Sequence, residues 1–160
     1  MGRRNTIILI FLFLAGCMPT KKGEYELIGN REALMQGRMV WMTNKENRQI
    51  YIDAAHGTVW TFGLGLGFFA EEAANKDEVD KVVVIEISPE VVELIKPRLG
   101  NKKIEIIQAD AWEWVKTAEG PVDFIYADIW TGDEPDFQEQ RKRTKQLCKR
   151  FGCEVMCWEP

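Results

Sequence analysis

The run Lys81-Val82-Val83-Val84-Ile85-Glu86-Ile87 constrains the fold more than any other stretch of this chain. It is β-branched nearly throughout and lacks the polar alternation of a strand that faces water on one side. A strand of that kind is covered on both faces, the normal state of a parallel sheet flanked by helices. The surrounding sequence agrees. Residues 58–62, 104–107, 122–127 and 154–158 are further strand candidates, and the segments 68–75, 88–97, 111–118 and 137–150 between them have helical character. Ser88-Pro89-Glu90 opens one of these helices with a capping hydroxyl and a proline at its first position. Strand–helix alternation at this spacing predicts an α/β fold with a doubly wound, Rossmann-like, mostly parallel sheet. Counted from residues 58–62, the expected strand order is 3-2-1-4-5, with a ligand crevice at the carboxyl ends of strands 1 and 4.

Upstream of this alternation the reading divides the chain into residues 1–17, a lead-in over 18–42, and a cofactor-binding domain over 43–160. The lead-in is polar and carries Gly23, Gly29 and Gly37, so it is expected to be loosely packed, with a short helix over 31–36 and a short strand at Met39-Val40-Trp41-Met42. Thr43-Asn44-Lys45-Glu46 has capping-box form and predicts a helix over 44–55 that Gly57 ends. In the first 17 residues, Arg3 and Arg4 precede an apolar run, and Leu14-Ala15-Gly16-Cys17 resembles the lipobox of bacterial lipoprotein signals. The run is shorter than the roughly 20 residues a membrane-spanning helix needs. Lipidation at Cys17 would give a membrane-anchored lipoprotein. Translation starting near Met18, at Met18-Pro19-Thr20-Lys21-Lys22, would give a cytoplasmic protein instead.

With 160 residues, 46% hydrophobic and 29% charged, the chain suits one domain, and its net charge of −4 argues against sequence-independent binding to nucleic acid. A small-molecule acceptor or ligand is therefore the expected partner. Cys148, Cys153 and Cys157 cluster near one end, and His56 is the single histidine, so no complete metal-ligand set is expected. The basic run of Arg141, Lys142, Arg143, Lys145, Lys149 and Arg150 reads as a solvated helix face.

The residues that point to chemistry stand at predicted strand ends. After residues 58–62 comes Gly63-Leu64-Gly65-Leu66-Gly67, where Gly63, Gly65 and Gly67 would let the backbone approach a ligand and aim N–H groups at it. Glu86 ends the next strand about 20 residues on, where a carboxylate can accept from both hydroxyls of a ribose; Ile87 follows it. Asp110 ends the third strand within Gln108-Ala109-Asp110-Ala111-Trp112. Its carboxylate can accept from an adenine amino group while the Ala111 N–H donates to a ring nitrogen, and it can equally cap the helix that follows. Trp112 or Trp114 could lie along the base.

Together these residues resemble the class I S-adenosylmethionine-dependent methyltransferase superfamily, more closely its spermidine synthase-like branch and short methyltransferase-like proteins of phages and bacteria. The resemblance covers about residues 40–160. It is carried by Gly63–Gly67, by Glu86-Ile87-Ser88-Pro89-Glu90-Val91-Val92, by Gln108-Ala109-Asp110-Ala111, and by Asp123-Phe124-Ile125-Tyr126-Ala127-Asp128-Ile129-Trp130. It implies S-adenosylmethionine or decarboxylated S-adenosylmethionine as cofactor, and transfer of a methyl or aminopropyl group to an unidentified acceptor. It further implies cofactor contacts at Gly63, Gly65, Gly67, Glu86, Ile87, Asp110 and Ala111, with Asp128 acting on the acceptor. The chain departs from the pattern at Thr61 and Leu66, where the two branches carry acids near the cofactor's amino-acid tail. A non-catalytic relative that binds a nucleoside cofactor, and a nicotinamide-dinucleotide domain read from Gly65-x-Gly67-x-x-Ala70, remain alternatives. The family continues with strands six and seven, which have no counterpart in this chain. The edge at 155–158 is therefore expected to be covered by a second copy in a homodimer, or by the strand at 39–42.

Overall fold

The fold is built on β-branched strands whose alternate residues feed two separate cores. In the structure, a computed structural model describing residues 20–43, 48–130, 132 and 134–159, a five-stranded parallel sheet runs in the order β7-β6-β5-β8-β9. Its strands are β5 (Gly57–Phe62), β6 (Val79–Glu86), β7 (Ile104–Gln108), β8 (Phe124–Ala127) and β9 (Glu154–Cys157). The helices are α1 (Gln49–Ala54), α2 (Phe68–Ala74), α3 (Pro89–Ile95), α4 (Ala111–Thr117) and α5 (Phe137–Cys148). Val59, Val82, Val84, Phe124 and Tyr126 point to one face and pack with residues of α1, α2 and α3. Trp60, Val83, Ile85, Ile125 and Ala127 point to the other and pack with α4 and α5. The period-two pattern of a strand, covered on both sides, thus accounts for the unbroken apolar run of β6. Each of these side chains is at most 6% exposed, and burying one contributes on the order of 1.5–3 kcal/mol.

The segment before α1 is a second sheet rather than a loose lead-in. Strands β1 (Thr20–Lys22), β2 (Tyr25–Ile28), β3 (Ala33–Gln36) and β4 (Met39–Thr43) form an antiparallel meander in sequence order. The helix expected over 31–36 is therefore β3. Gly23, Gly29 and Gly37, read as marks of loose packing, have φ of 55°, 58° and 58° and stand in the tight connections between these strands. Left-handed backbone in connections of two residues (at Gly23 and Gly37) and four (at Gly29) lets antiparallel strands follow one another closely. Leu27 and Leu34 pair across β2 and β3 and enter the first core. Arg31, at the β2–β3 turn, binds Glu71 of α2 at 2.7 Å and donates to Leu66 O at 3.3 Å. The meander is thereby tied to the carboxyl ends of the parallel strands.

Three further expectations change. The strand at 39–42 forms as β4 but pairs with β3, so it does not cover β9. The helix expected over 44–55 is described only as Gln49–Ala54, and it ends at Ala55 ahead of Gly57, which opens β5. Of the capping box Thr43–Glu46, Thr43 ends β4 and residues 44–46 lie outside the described residues, as do the proposed lipid site Cys17 and the start at Met18. Among the described residues, no helix is long and apolar enough to cross a membrane.

Candidate functional site

Register brings the chemistry-bearing residues together. Phe62 lies level with Ile85 of β6 and with Ala127 of β8, and Glu86 lies level with Gln108 of β7. The next residues of β5, β8 and β7 are the glycine turn, Asp128 and the segment leading to Asp110. A cavity of about 290 Å³ opens over this edge, with Gly63, Gly65, Glu86, Ile87, Asp110, Ala111, Trp112 and Asp128 in its wall.

The glycine turn is shaped first by the protein itself. A side chain on Gly63, whose φ is 92°, would collide with the Asp128 carbonyl oxygen. Gly65 lies beneath the Met42 thioether, and Gly67 caps α2 at φ 80° against Leu99 and Ile95, away from the cavity wall. The N–H groups that were expected to face a ligand are largely engaged. Gly63 donates to Ile85 O at 2.8 Å, Leu64 to Glu86 Oε2 at 2.8 Å, Leu66 to Met42 Sδ at 3.3 Å and Gly67 to Leu64 O at 2.8 Å. A pyrophosphate would need those donors, so the turn does not suit a dinucleotide.

Glu86 bends back over the end of its own strand. Oε1 accepts from the Ser88 N–H and Oε2 from the Leu64 N–H, both at 2.8 Å, and the residue is 7% exposed. Burial pushes its carboxyl above the ordinary value of 4.5, against the pull of backbone N–H groups of Ser88, Leu64 and Ile87. The sequence makes this geometry: Ser88 caps α3 by accepting from Val91 N at 3.2 Å, Pro89 sets the first turn, and the Ser88 N–H is left to face Glu86. An ionised carboxylate offers about four lone-pair sites, more than these backbone N–H groups fill, so Glu86 keeps acceptor capacity at the cavity wall. Beside it, Ile87 is 64% exposed, an apolar surface at the cavity wall.

Asp110 caps α4 through one oxygen only: Oδ1 accepts from Trp112 N at 2.8 Å and Glu113 N at 3.1 Å. The two tryptophans separate. Trp112 lines the cavity, held by its Nε1 donating to Thr144 Oγ1 at 2.9 Å, with Arg143 over its ring. Trp114 packs edge-on against Trp60 in the second core and does not line the cavity. Asp128 accepts from the Tyr126 hydroxyl at 3.2 Å, and its own N–H donates to Phe62 O at 2.9 Å. Tyr126 is buried between Tyr51 and Phe69, and burial followed by the Asp128 charge raises its phenol far above the ordinary value of 10.0.

Several wall residues went unread in the sequence. Tyr25, Leu34, Trp41 and Met42 reach the cavity from the meander, and Trp130 and Gln140 from the β8–α5 side. The signal for Tyr25 and Leu34 was the spacing of Gly23, Gly29 and Gly37 around short apolar segments, a hairpin pattern, while Trp41 and Met42 stand on the strand expected at 39–42.

The protein-family description "Methyltransferase domain" matches residues 60–152, more than half of the chain. Ribosomal RNA small subunit methyltransferase A of Mycoplasma mycoides subsp. mycoides SC is 34% identical over 76 residues, 48% of this chain and 25% of that protein. Its counterpart from Mycoplasma capricolum subsp. capricolum is 43% identical over 51 residues, 32% of this chain and 18% of that protein. The matched segment thus spans a quarter or less of those curated relatives. The crystal structure of spermidine synthase from Thermotoga maritima superposes with a TM-score of 0.59 at 17% identity, covering 82% of this chain and 52% of that one. At that identity the likeness is one of fold.

Proposed function

Because the chain belongs to the methyltransferase domain family, within the class I S-adenosylmethionine-dependent superfamily, we propose that it transfers a methyl group from S-adenosylmethionine to a small-molecule acceptor held beside Asp128. The observation that carries the reading is Glu86: a buried carboxylate fixed at the end of β6, tied to the glycine turn and facing the cavity. A buried carboxylate is retained where hydrogen-bond donors compensate its desolvation, and the two hydroxyls of a ribose are such donors. Asp110, with its second oxygen, and Ala111 suit the edge of adenine, while Ile87 and Trp112 offer surfaces to its face. The residues therefore fit an adenosine, and the engaged N–H groups of the turn disfavour a pyrophosphate. When bound, S-adenosylmethionine supplies a methyl group activated by a sulfonium.

Asp128 is the acceptor-side group. Tyr126 holds its carboxylate in one orientation at the wall, where it can orient the acceptor or take its proton. Methyl transfer is favoured over aminopropyl transfer to a polyamine by the charge of the wall. Among the described residues, the carboxylates lining the cavity are Glu86, Asp110 and Asp128, and with the first two given to the nucleoside, Asp128 is the one of these that faces an acceptor. A polycationic chain would need more.

Asp128→Asn tests the role directly. Turnover should fall by about 100-fold or more while calorimetric affinity for S-adenosylmethionine changes less than about twofold; loss of affinity with no separate loss of turnover would make Asp128 a cofactor ligand. Methyl-labelled cofactor screened against small metabolites, polyamines and ribosomal RNA identifies the acceptor, the last included because the curated relatives carry that name.

A further inference from the structure

Two walls of the cavity each present a tryptophan whose polar atom is turned to the protein. Trp41 of β4 comes from the meander. Its Nε1 donates to Gln36 Oε1 at 2.7 Å, and Gln36 Nε2 in turn donates to Glu24 Oε2 at 3.1 Å. Trp130 comes from the β8–α5 connection. Its Nε1 donates to Trp158 O at 3.4 Å, and its ring packs edge-on against Phe137 with centroids 5.7 Å apart. An indole N–H out of water takes a hydrogen-bond partner, and both partners here belong to the protein. What these two side chains offer a ligand is carbon and π surface.

The wall around Asp128 keeps the same character. Met42 and Asp128 line both the cavity and a small adjoining recess, which places the thioether at the Asp128 end. Its sulfur accepts from the Leu66 N–H at 3.3 Å. Ile129, also in the cavity wall, joins Asp128 to Trp130 in the chain. This is the end that an adenosine leaves open, because Asp110, Glu86 and Asp128 stand in strand order across the sheet edge, beyond β7, at β6 and beyond β8.

A planar aromatic ring matches such a wall. It gains offset or edge contacts with indoles beyond its area burial, and a further contact with a thioether. Aromatic faces also attract cations, but Arg48 opposes one here. It is 6% exposed in the wall of the adjoining recess, and its charge reaches the Tyr126 hydroxyl that holds Asp128. A cation brought to Asp128 would meet it as a like charge.

We propose that the acceptor is a neutral, planar aromatic molecule, held between Trp41 and Trp130 with a ring O–H or N–H donating to Asp128. The proposal rests on the adenosine site above, which assigns this end of the cavity to the acceptor. Trp41 is its specificity-determining residue on the meander side.

The test is calorimetry on the full chain with 2-naphthol, its saturated counterpart decahydro-2-naphthol, the anion 2-naphthoate and the diamine putrescine. Each is titrated with and without methylthioadenosine, a nucleoside thioether that fills the adenosine site without reacting. The wild-type protein should bind 2-naphthol roughly fivefold or more tighter than the other three, the range of an aromatic pair, and should bind it together with methylthioadenosine. Trp41→Leu should reduce 2-naphthol to the level of its saturated counterpart and leave methylthioadenosine affinity unchanged, while Trp41→Phe should keep most of the preference. Absence of 2-naphthol binding, equal affinity for the saturated ring, or tighter binding of putrescine or 2-naphthoate overturns the proposal. Mutual exclusion of 2-naphthol and methylthioadenosine overturns it too, because the tryptophans would then hold the base. So does an equal loss of both ligands in Trp41→Leu, which would make Trp41 a structural residue. Binding of 2-naphthol with the expected preference, but none of methylthioadenosine, overturns the adenosine site and leaves the aromatic one standing. Should Trp41→Leu not fold, the wild-type series and Trp41→Phe decide alone.

Discussion

Gly63 shows how little freedom the site has at the level of single residues. Its φ of 92° and the Asp128 carbonyl against its α-carbon leave no place for a methyl group. Gly63→Ala should therefore destabilise the fold by at least about 2 kcal/mol, read as a shift of the urea midpoint with an unchanged slope; a midpoint within error of wild type would show that β5 and β8 can part at this point. Glu86 is strained in another way. Its folded carboxyl titrates above 4.5, so its contribution to stability is present below that unfolded value and lost as pH rises through the raised folded one. Its ionised form is short of solvent, and hydrogen-bond donors from a ligand would relieve it. The same shift makes ligand binding acid-sensitive at a higher pH than an ordinary carboxylate would. Arg141 and Arg150, part of the basic run read as a solvated face, turn out to be employed structurally: Arg141 pairs with Glu159 and lies over Phe137, while Arg150 caps the carbonyls of Val115 and Ala118.

Among the elements, the parallel strands were legible because double-sided burial leaves a continuous apolar run, and the Ser88 and Asp110 caps because a helix N-terminus needs a side-chain acceptor. Glu86, Asp110 and Asp128 could be placed for the same reason, since each ends a readable strand. Of the meander only the strand at 39–42, now β4, was legible. Its strands are three to five residues long, too short to establish a period, and the glycines that mark its turns were taken for looseness. Without the rest of the meander nothing brought Tyr25, or the Trp41 and Met42 of that strand, to the site. Arg48 was missed because nothing in the local sequence separates a buried arginine from a solvated one. At the far edge, β9 pairs only with β8 among the described strands. We propose that two copies meet there, Val155, Met156 and Trp158 being only partly covered. Light scattering should then give twice the chain mass at tens of micromolar; a single-chain mass across that range would contradict the pairing.

For the molecule as a whole, the arrangement is a parallel sheet whose carboxyl edge is walled on one side by the meander and on the other by the β8–α5 connection and α5. Met42 lies over Gly65, Arg31 grips the start of α2, and Trp130 closes the far side by packing on Phe137. The cavity is thus bounded by parts distant in sequence, with the acids proposed to hold the nucleoside at the end of β6 (Glu86) and just beyond β7 (Asp110), and the proposed transfer group, Asp128, just beyond β8. The central claim is that this edge binds the adenosine of S-adenosylmethionine through an ionised Glu86. Titration calorimetry with S-adenosylmethionine, on wild type and Glu86→Gln, at neutral pH and at about one to two pH units lower, tests it most directly. The account predicts at least roughly tenfold weaker binding by the variant, and acid weakening that the wild type shows and the variant lacks. Equal affinity of the two proteins, or acid weakening of the same size in both, would contradict it.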